Sequence, residues 1–154
     1  MALFCTITTE SHLFKCYALA ESIQSFGGEL IVLLVDTNEV KSIDNIPSNI
    51  KFNFLDKISF ERVLLTKEAY TKDKLRWALK PAYLLYLLLE HQEVMYIDND
   101  VHFFSDFNFL FEELSNSNLL VTPHHYPSSP KNQQTWLEAN FRLGLYNAGF
   151  IGAN

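Results

Sequence analysis

The chain has 154 residues, of which 48% are hydrophobic and 19% charged, with a formal net charge of −6. That length and apolar fraction suit a single folded domain with a core of its own and exclude an intrinsically disordered chain. The acidic balance, with no basic run, argues against a nucleic-acid backbone as the main partner, and the longest apolar stretch (residues 82–89) is too short to span a bilayer.

Taken in order, Leu3 to Thr8 is a short β-type run, and Ser11 is placed to cap the helix that follows. From His12 to Phe26 the apolar residues Leu13, Phe14, Tyr17, Ala18, Ala20 and Ile23 recur at helical spacing until Gly27-Gly28 stops them. Leu30 to Val35 is a continuous aliphatic strand ending at Asp36. Strand, helix and strand within 36 residues predict a βαβ unit and a buried parallel sheet. Residues 37–50 read as a polar loop, residues 51–55 as a third strand and residues 59–65 as a short helix.

Residues 70–90 carry the strongest helical pattern, which Pro81 is expected to break or kink, leaving Lys80 at a joint between two pieces. Val94 to Ile97 is a fourth strand. Residues 103–114 end in a short helix, Leu119 to Thr122 form a fifth strand, and a loop rich in proline follows to Pro130. Gln133 to Leu143 looks helical, Gly144 ends it, and Asn147 to Ile151 is a last strand. A strand so close to the end of the chain is expected to lie exposed, covered by a partner copy. The fold class is therefore α/β, a Rossmann-like and mostly parallel sheet with helices on both faces, in one domain over residues 1–154.

The chemistry concentrates after the fourth strand, in Asp98-Asn99-Asp100. Ligands collect at the carboxyl ends of strands in an open α/β sheet, because the loops there diverge. Two ionised carboxylates side by side repel each other unless a cation lies between them. Mn²⁺ or Mg²⁺ is the natural counter-ion for such oxygens, and its remaining positions can take phosphate oxygens. Asp98 and Asp100 thus point to a metal–diphosphate site; the plainer alternative is an acidic turn after a strand.

Four segments in order resemble the A-type glycosyltransferases, especially the retaining branch with glycogenin and the bacterial lipopolysaccharide galactosyltransferases. Tyr96-Ile97-Asp98-Asn99-Asp100-Val101 is similar to that family's Asp-X-Asp motif. Residues 4–9 resemble its first strand and nucleotide-contacting loop, Lys80-Pro81 its basic position, and Tyr146-Asn147-Ala148-Gly149-Phe150 its Asn-(Ser/Ala)-Gly strand.

By this resemblance Asp98 and Asp100 would hold Mn²⁺ or Mg²⁺ on the diphosphate of a nucleotide-sugar donor, UDP-linked in this branch. Asn99 would sit within the motif, and Thr8 and Thr9 would line the nucleoside pocket. Lys80 would approach the phosphates or the sugar, and Asn147 with Gly149 would line the sugar side. The acceptor would be a glycan, lipid or protein. Members of the family are longer, and a His in their carboxyl half completes the metal site, so the resemblance covers the donor-binding half and implies a chain truncated at its carboxyl end.

Two rival readings remain. The first motif of haloacid-dehalogenase-type phosphatases also reads strand-Asp-X-Asp, with the first Asp as nucleophile. A non-catalytic nucleotide-sugar-binding remnant would keep the fold without turnover.

The other polar residues read more plainly. His102 and the His124-His125 pair are loop residues, Lys74 lies on a solvated helix face, and Arg76 could face phosphates from the helix that carries Lys80. Asp36 either starts a turn or contacts the nucleotide. Trp77 and Trp136 read as packing, and Cys5 and Cys16 as buried thiols of a soluble protein in a reducing compartment, with no amino-terminal leader, hence cytoplasmic.

Overall fold

The computed structural model describes residues 2–40, 46–124, 134, 137, 138, 141, 142 and 144–154. The first strand, β1 (Leu3–Thr8), is buried along its whole length. A 3₁₀ turn over Glu10–His12 leads into α1 (Leu13–Gln24). Ser11 lies within that turn and does not cap α1, because the chain tightens there before the helix begins; His12 holds the cap position without a side-chain bond.

α1 buries Leu13, Cys16, Leu19, Ala20 and Ile23, a stripe at helical spacing. It ends where Gly27 takes φ 80°, a left-handed value that glycine adopts without strain. A Cβ on the next residue, Gly28, would stand 2.5 Å from Ile23 Cγ2 and 2.9 Å from Phe107 Cζ, so a glycine is required there by space.

The chain continues through β2 (Glu29–Leu34), β3 (Ile50–Phe54) and α2 (Glu61–Ala69) to α3 (Lys72–Leu87). After these come β4 (Val94–Ile97), α4 (Asn108–Ser115), β5 (Leu119–Pro123) and β6 (Tyr146–Ala153). The six strands form one sheet in the order β3-β2-β1-β4-β6-β5. β1 to β4 run parallel, and β6 enters antiparallel between β4 and β5.

Strand alternation sorts the core into two layers. Cys5, Ile7, Ile31, Leu33 and Tyr96 pack with Val63 of α2 and with Leu79, Tyr83 and Leu87 of α3. Phe4, Leu30, Val32, Leu34, Met95 and Ile97 pack on the other face with α1, Phe107 and α4. On that second face Phe4 meets Phe103, Phe107 and Phe111 at ring centroid distances of 5.2, 4.7 and 5.4 Å, the last two edge to face.

Two more expectations are overturned. α3 runs through Pro81 without a break, so Lys80 is helical and not at a joint. The flanking residues Leu79, Ala82, Tyr83 and Leu84 are buried, and their packing on the sheet holds the helix across the lost backbone hydrogen bond. The last strand is not an exposed edge. β6 is bonded on one side to β4, from Val94↔Ala153 to Ile97↔Phe150, and on the other to β5, so no partner is needed to cover it.

The predicted helix over 133–143 and the side chains of His125 and Trp136 fall largely or wholly outside the described residues. Among the described residues no helix is long and apolar enough to cross a membrane.

Candidate functional site

β4 delivers its four apolar residues into the core and releases the chain at Asp98, where the backbone turns, closed by Val101 N donating to Asp98 O at 3.3 Å. The backbone N–H of Asp98 donates to Gly149 O at 2.9 Å, which extends the β4–β6 ladder by one step and sets the two residues opposite each other.

Asp98 Oδ1 accepts two hydrogen bonds, from Lys80 Nζ at 2.8 Å and from the Tyr96 hydroxyl at 2.8 Å. Lys80 is 7% exposed and also donates to Ala148 O at 2.9 Å, while its ammonium stands 4.7 Å from the centroid of the Tyr96 ring. That cation–π contact and the two hydrogen bonds fix the ammonium. Burial, and then the charge of Asp98, push the Tyr96 hydroxyl far above its usual range, so it stays a proton donor.

Asp98 Oδ2 points the other way. A Cβ built on Gly149 would lie 2.8 Å from it and 3.0 Å from Asn147 Oδ1. Glycine at 149 therefore keeps open the space beside the second carboxylate oxygen. Asn147 is exposed, and its Oδ1 accepts from Gly149 N at 2.7 Å, which steadies the start of β6. Asp100 is exposed beyond the turn.

Asn99 turns inward, its Nδ2 donating to Thr8 Oγ1 at 2.8 Å. Thr8 is fully buried and serves as the anchor for the turn, whereas Thr9 reaches the surface. The Cys16 thiol is drawn down by Thr8 and Asn99. Burial nevertheless pushes it up to about 12, and the buried Cys5 thiol goes up as well, so both thiols are protonated and unreactive near neutral pH.

Two cavities flank this motif. The first, about 170 Å³, is lined by Ile7, Arg76, Trp77, Lys80, Tyr96 and residues 98–100. The second, about 240 Å³, lies at the ends of β1 and β2 against Thr9, Val35 and Asp36, with Lys72, Asp73, Leu75 and Arg76 of α3. Arg76 lines both and is ion-paired to Asp73. Lys72 opens α3 at φ 54°, a conformation a residue with a side chain adopts at a cost, and it lies on the rim of the second cavity.

The structure brings Lys80, Asp98, Asn99 and Asp100 to one cavity, with Ala148 and Gly149 against Lys80 and Asp98. Asp36 does two things: its Oδ1 accepts from Glu10 N at 2.9 Å, and it lines the second cavity. Lys74 and His102 lie exposed, His102 beside the Phe104 ring.

Two residues escape a reading of the sequence. Tyr96 is counted there as one more apolar strand residue, yet its hydroxyl orients Asp98. The available signal is the period of two, which puts 96 and 98 on one face. Trp77 is not packing: it is 65% exposed and belongs to the first cavity, as its place three residues before Lys80 on a helix allows.

The donor set suits a hard divalent cation. Among the described residues Asp98 Oδ2 and the Asp100 carboxylate make no bond to a cationic side chain, and the cradle at Gly149 is one a Cβ would fill. Among the described residues no group of three His, Cys, Asp or Glu stands together.

This sheet order, with two cavities at the strand ends, is the A-type nucleotide-sugar glycosyltransferase fold. Mouse xyloside xylosyltransferase 1 superposes with a TM-score of 0.63 at 13% identity, over 99% of this chain and 67% of that one. The galactosyltransferase LgtC, solved with donor and acceptor sugar analogs, gives 0.60 at 14% identity, over 98% and 57%. The bifunctional glycosyltransferase WbbM gives 0.58 at 16% identity, over 99% and 31%.

In sequence the chain is 28% identical to the uncharacterized protein YfnD of Bacillus subtilis (strain 168) over 156 residues, covering 97% of this chain and 48% of that protein. It is 27% identical to YfnF of the same organism, covering 96% and 51%. The chain thus spans about half the length of these curated relatives. No protein-family model matches it. The motif follows the fourth strand, whereas the phosphatase alternative has it after the first, and the fold matches that of solved glycosyltransferases.

Proposed function

We propose that this chain is the donor-binding part of a metal-dependent glycosyltransferase, acting on a nucleotide-diphosphate-sugar, UDP-linked, and an acceptor glycan, lipid or protein. The observation that carries the reading is the split carboxylate of Asp98. One oxygen is fixed by Lys80 and Tyr96, and the other faces the space that Gly149 leaves open.

In this reading Asp98 Oδ2 and Asp100 hold Mn²⁺ or Mg²⁺. When bound there, the cation would supply Lewis-acid stabilisation of the charge that develops on a departing diphosphate. The chain's own residues prepare that site. Lys80 and Tyr96 lock the Asp98 carboxylate in one orientation, so nothing has to reorganise when the donor arrives. Asn99, tied to buried Thr8, fixes the turn from which Asp100 projects. Arg76, at the junction of the two cavities, offers a planar fork of N–H donors to phosphate oxygens. Thr9 and Asp36 line the nucleoside end, and Asn147 with Gly149 the sugar end. Two buried free thiols fit the reducing cytoplasm.

Calorimetric titration of UDP with Mn²⁺ present, and then with the metal chelated, tests the reading. Metal-dependent binding that is lost in Asp100→Ala supports it. Binding indifferent to both metal and Asp100 would overturn it. A nucleotide-sugar-binding module without turnover is the second reading, favoured by the donor set of two carboxylates with no third protein ligand beside them among the described residues. Hydrolysis of UDP-glucose by the Mn²⁺-loaded protein without acceptor separates the two, because a working site turns over slowly and an inert one does not.

A further inference from the structure

Single apolar side chains on a surface are common and need no explanation. Trp77 differs in its neighbours. The largest of the natural side chains stands 65% exposed in the cavity of Asp98, Asp100 and Lys80.

The order of residues along α3 says which part of a ligand it would meet. Lys72, Asp73, Leu75 and Arg76 line the second cavity; Arg76, Trp77 and Lys80 line the first. The helix therefore runs from the nucleoside end to the carboxylate end, with Arg76 at the boundary and Trp77 just past it. A donor has four chemically distinct parts in a row: heterocycle, ribose, diphosphate and sugar. With its base and ribose against Thr9, Val35 and Asp36 and its diphosphate at Arg76 and the Asp98/Asp100 turn, the base would sit in the cavity that Trp77 does not line and the sugar in the one that it does.

The chemistry agrees. One face of a pyranose is a patch of C–H groups, and the face of an indole carries the negative part of the ring quadrupole, which attracts them. Polar groups cannot recognise that face of a sugar; a flat aromatic surface can. Lys80 and the β6 residues meanwhile offer polar contacts to the ring's hydroxyls.

We infer that Trp77 is the stacking platform for the sugar ring of the donor, and so selects hexopyranose donors over the bare nucleotide. This inference rests on the donor-binding reading above. It is tested by comparing the dissociation constants of UDP, UDP-glucose and UDP-galactose, each with Mn²⁺, in the wild type, Trp77→Ala and Trp77→Phe. Trp77→Ala is expected to leave UDP unchanged and weaken both nucleotide-sugars about tenfold, with Trp77→Phe recovering most of the loss. The side chain is exposed, so thermal unfolding of both variants should match the wild type, which excludes misfolding as the cause.

Equal weakening of UDP and the nucleotide-sugars would place the indole on the base, the ribose or the phosphates and overturn the inference. Unchanged affinity for all three would make Trp77 an ordinary surface residue and overturn it as well. A wild type that binds none of the three would instead defeat the donor-binding reading itself, a result distinct from either.

Discussion

The two halves of the sheet are built differently. In the parallel half, β1, β2 and β4 are buried almost throughout, and helices cover both faces. In the antiparallel half, β6 begins with the exposed residues Tyr146, Asn147 and Ala148, and its register against β5 shifts between Val121 and Thr122. The parallel half is held by apolar burial. The seam between the halves is held by a polar link in addition to the ladder, Lys80 reaching from α3 to both Asp98 and Ala148. The candidate site lies on that seam. Rigid strands supply its position, and the more open half supplies access.

The sharpest way to break this comparison is to damage the parallel half alone. Phe107 is fully buried and touches the rings of Phe4, Phe26, Phe103 and Phe111. Phe107→Ala should cost about 3–5 kcal/mol of stability by emptying that cluster. Denaturant unfolding reads this, and Mn²⁺-dependent UDP binding of the protein that remains folded should be little changed. A matching loss of affinity would mean that the two halves are not separable.

The next effect falls on the seam itself. Lys80→Met keeps the aliphatic stem and removes the ammonium, leaving Ala148 O without its donor and the Asp98 carboxylate with Tyr96 alone. Asp98 is 42% exposed, so water recovers part of the loss, and about 2 kcal/mol is expected. A loss under a few tenths of a kcal/mol in chemical denaturation would show that the ladder alone holds the seam.

The parallel half was legible in the sequence and the seam largely was not. Leu30 to Leu34 is an unbroken aliphatic run, and a strand buried on both faces leaves that trace. β4 is readable for the same reason, and the carboxylates after it announce a site. β6 leaves a weak trace, because Tyr146-Asn147-Ala148-Gly149 is exposed or small and lacks an apolar period. Its place between β4 and β5 is a matter of topology that no local pattern encodes. Pro81 misleads in the opposite direction: the local rule breaks the helix, and the packing of Tyr83, Leu84 and Leu87 overrides it. Lys80 is recognisable as a basic residue near the motif, but its pairing with Tyr96 and Ala148 joins three elements and emerges only in the fold.

The smallest change tests the seam most finely. Gly149→Ala adds one methyl group, which would meet Asp98 Oδ2 at 2.8 Å. The carboxylate cannot swing aside freely, because Oδ1 is held by Lys80 and Tyr96. Crowding of this kind costs about 1–3 kcal/mol, and alanine returns a few tenths or more by restricting the unfolded chain, leaving a net loss of about 1 kcal/mol. The methyl group also fills the space beside the oxygen proposed to hold the cation, so Mn²⁺-dependent UDP binding should fall far more than stability does. Placing Gly149→Ala in the Lys80→Met background separates the two causes. With the ammonium gone the carboxylate can rotate away, so the stability penalty of the alanine should shrink, a coupling that a double-mutant cycle reads directly. An unchanged penalty would mean that the methyl group strains the β6 backbone itself, and that the Asp98 carboxylate is not the rigid element of the site.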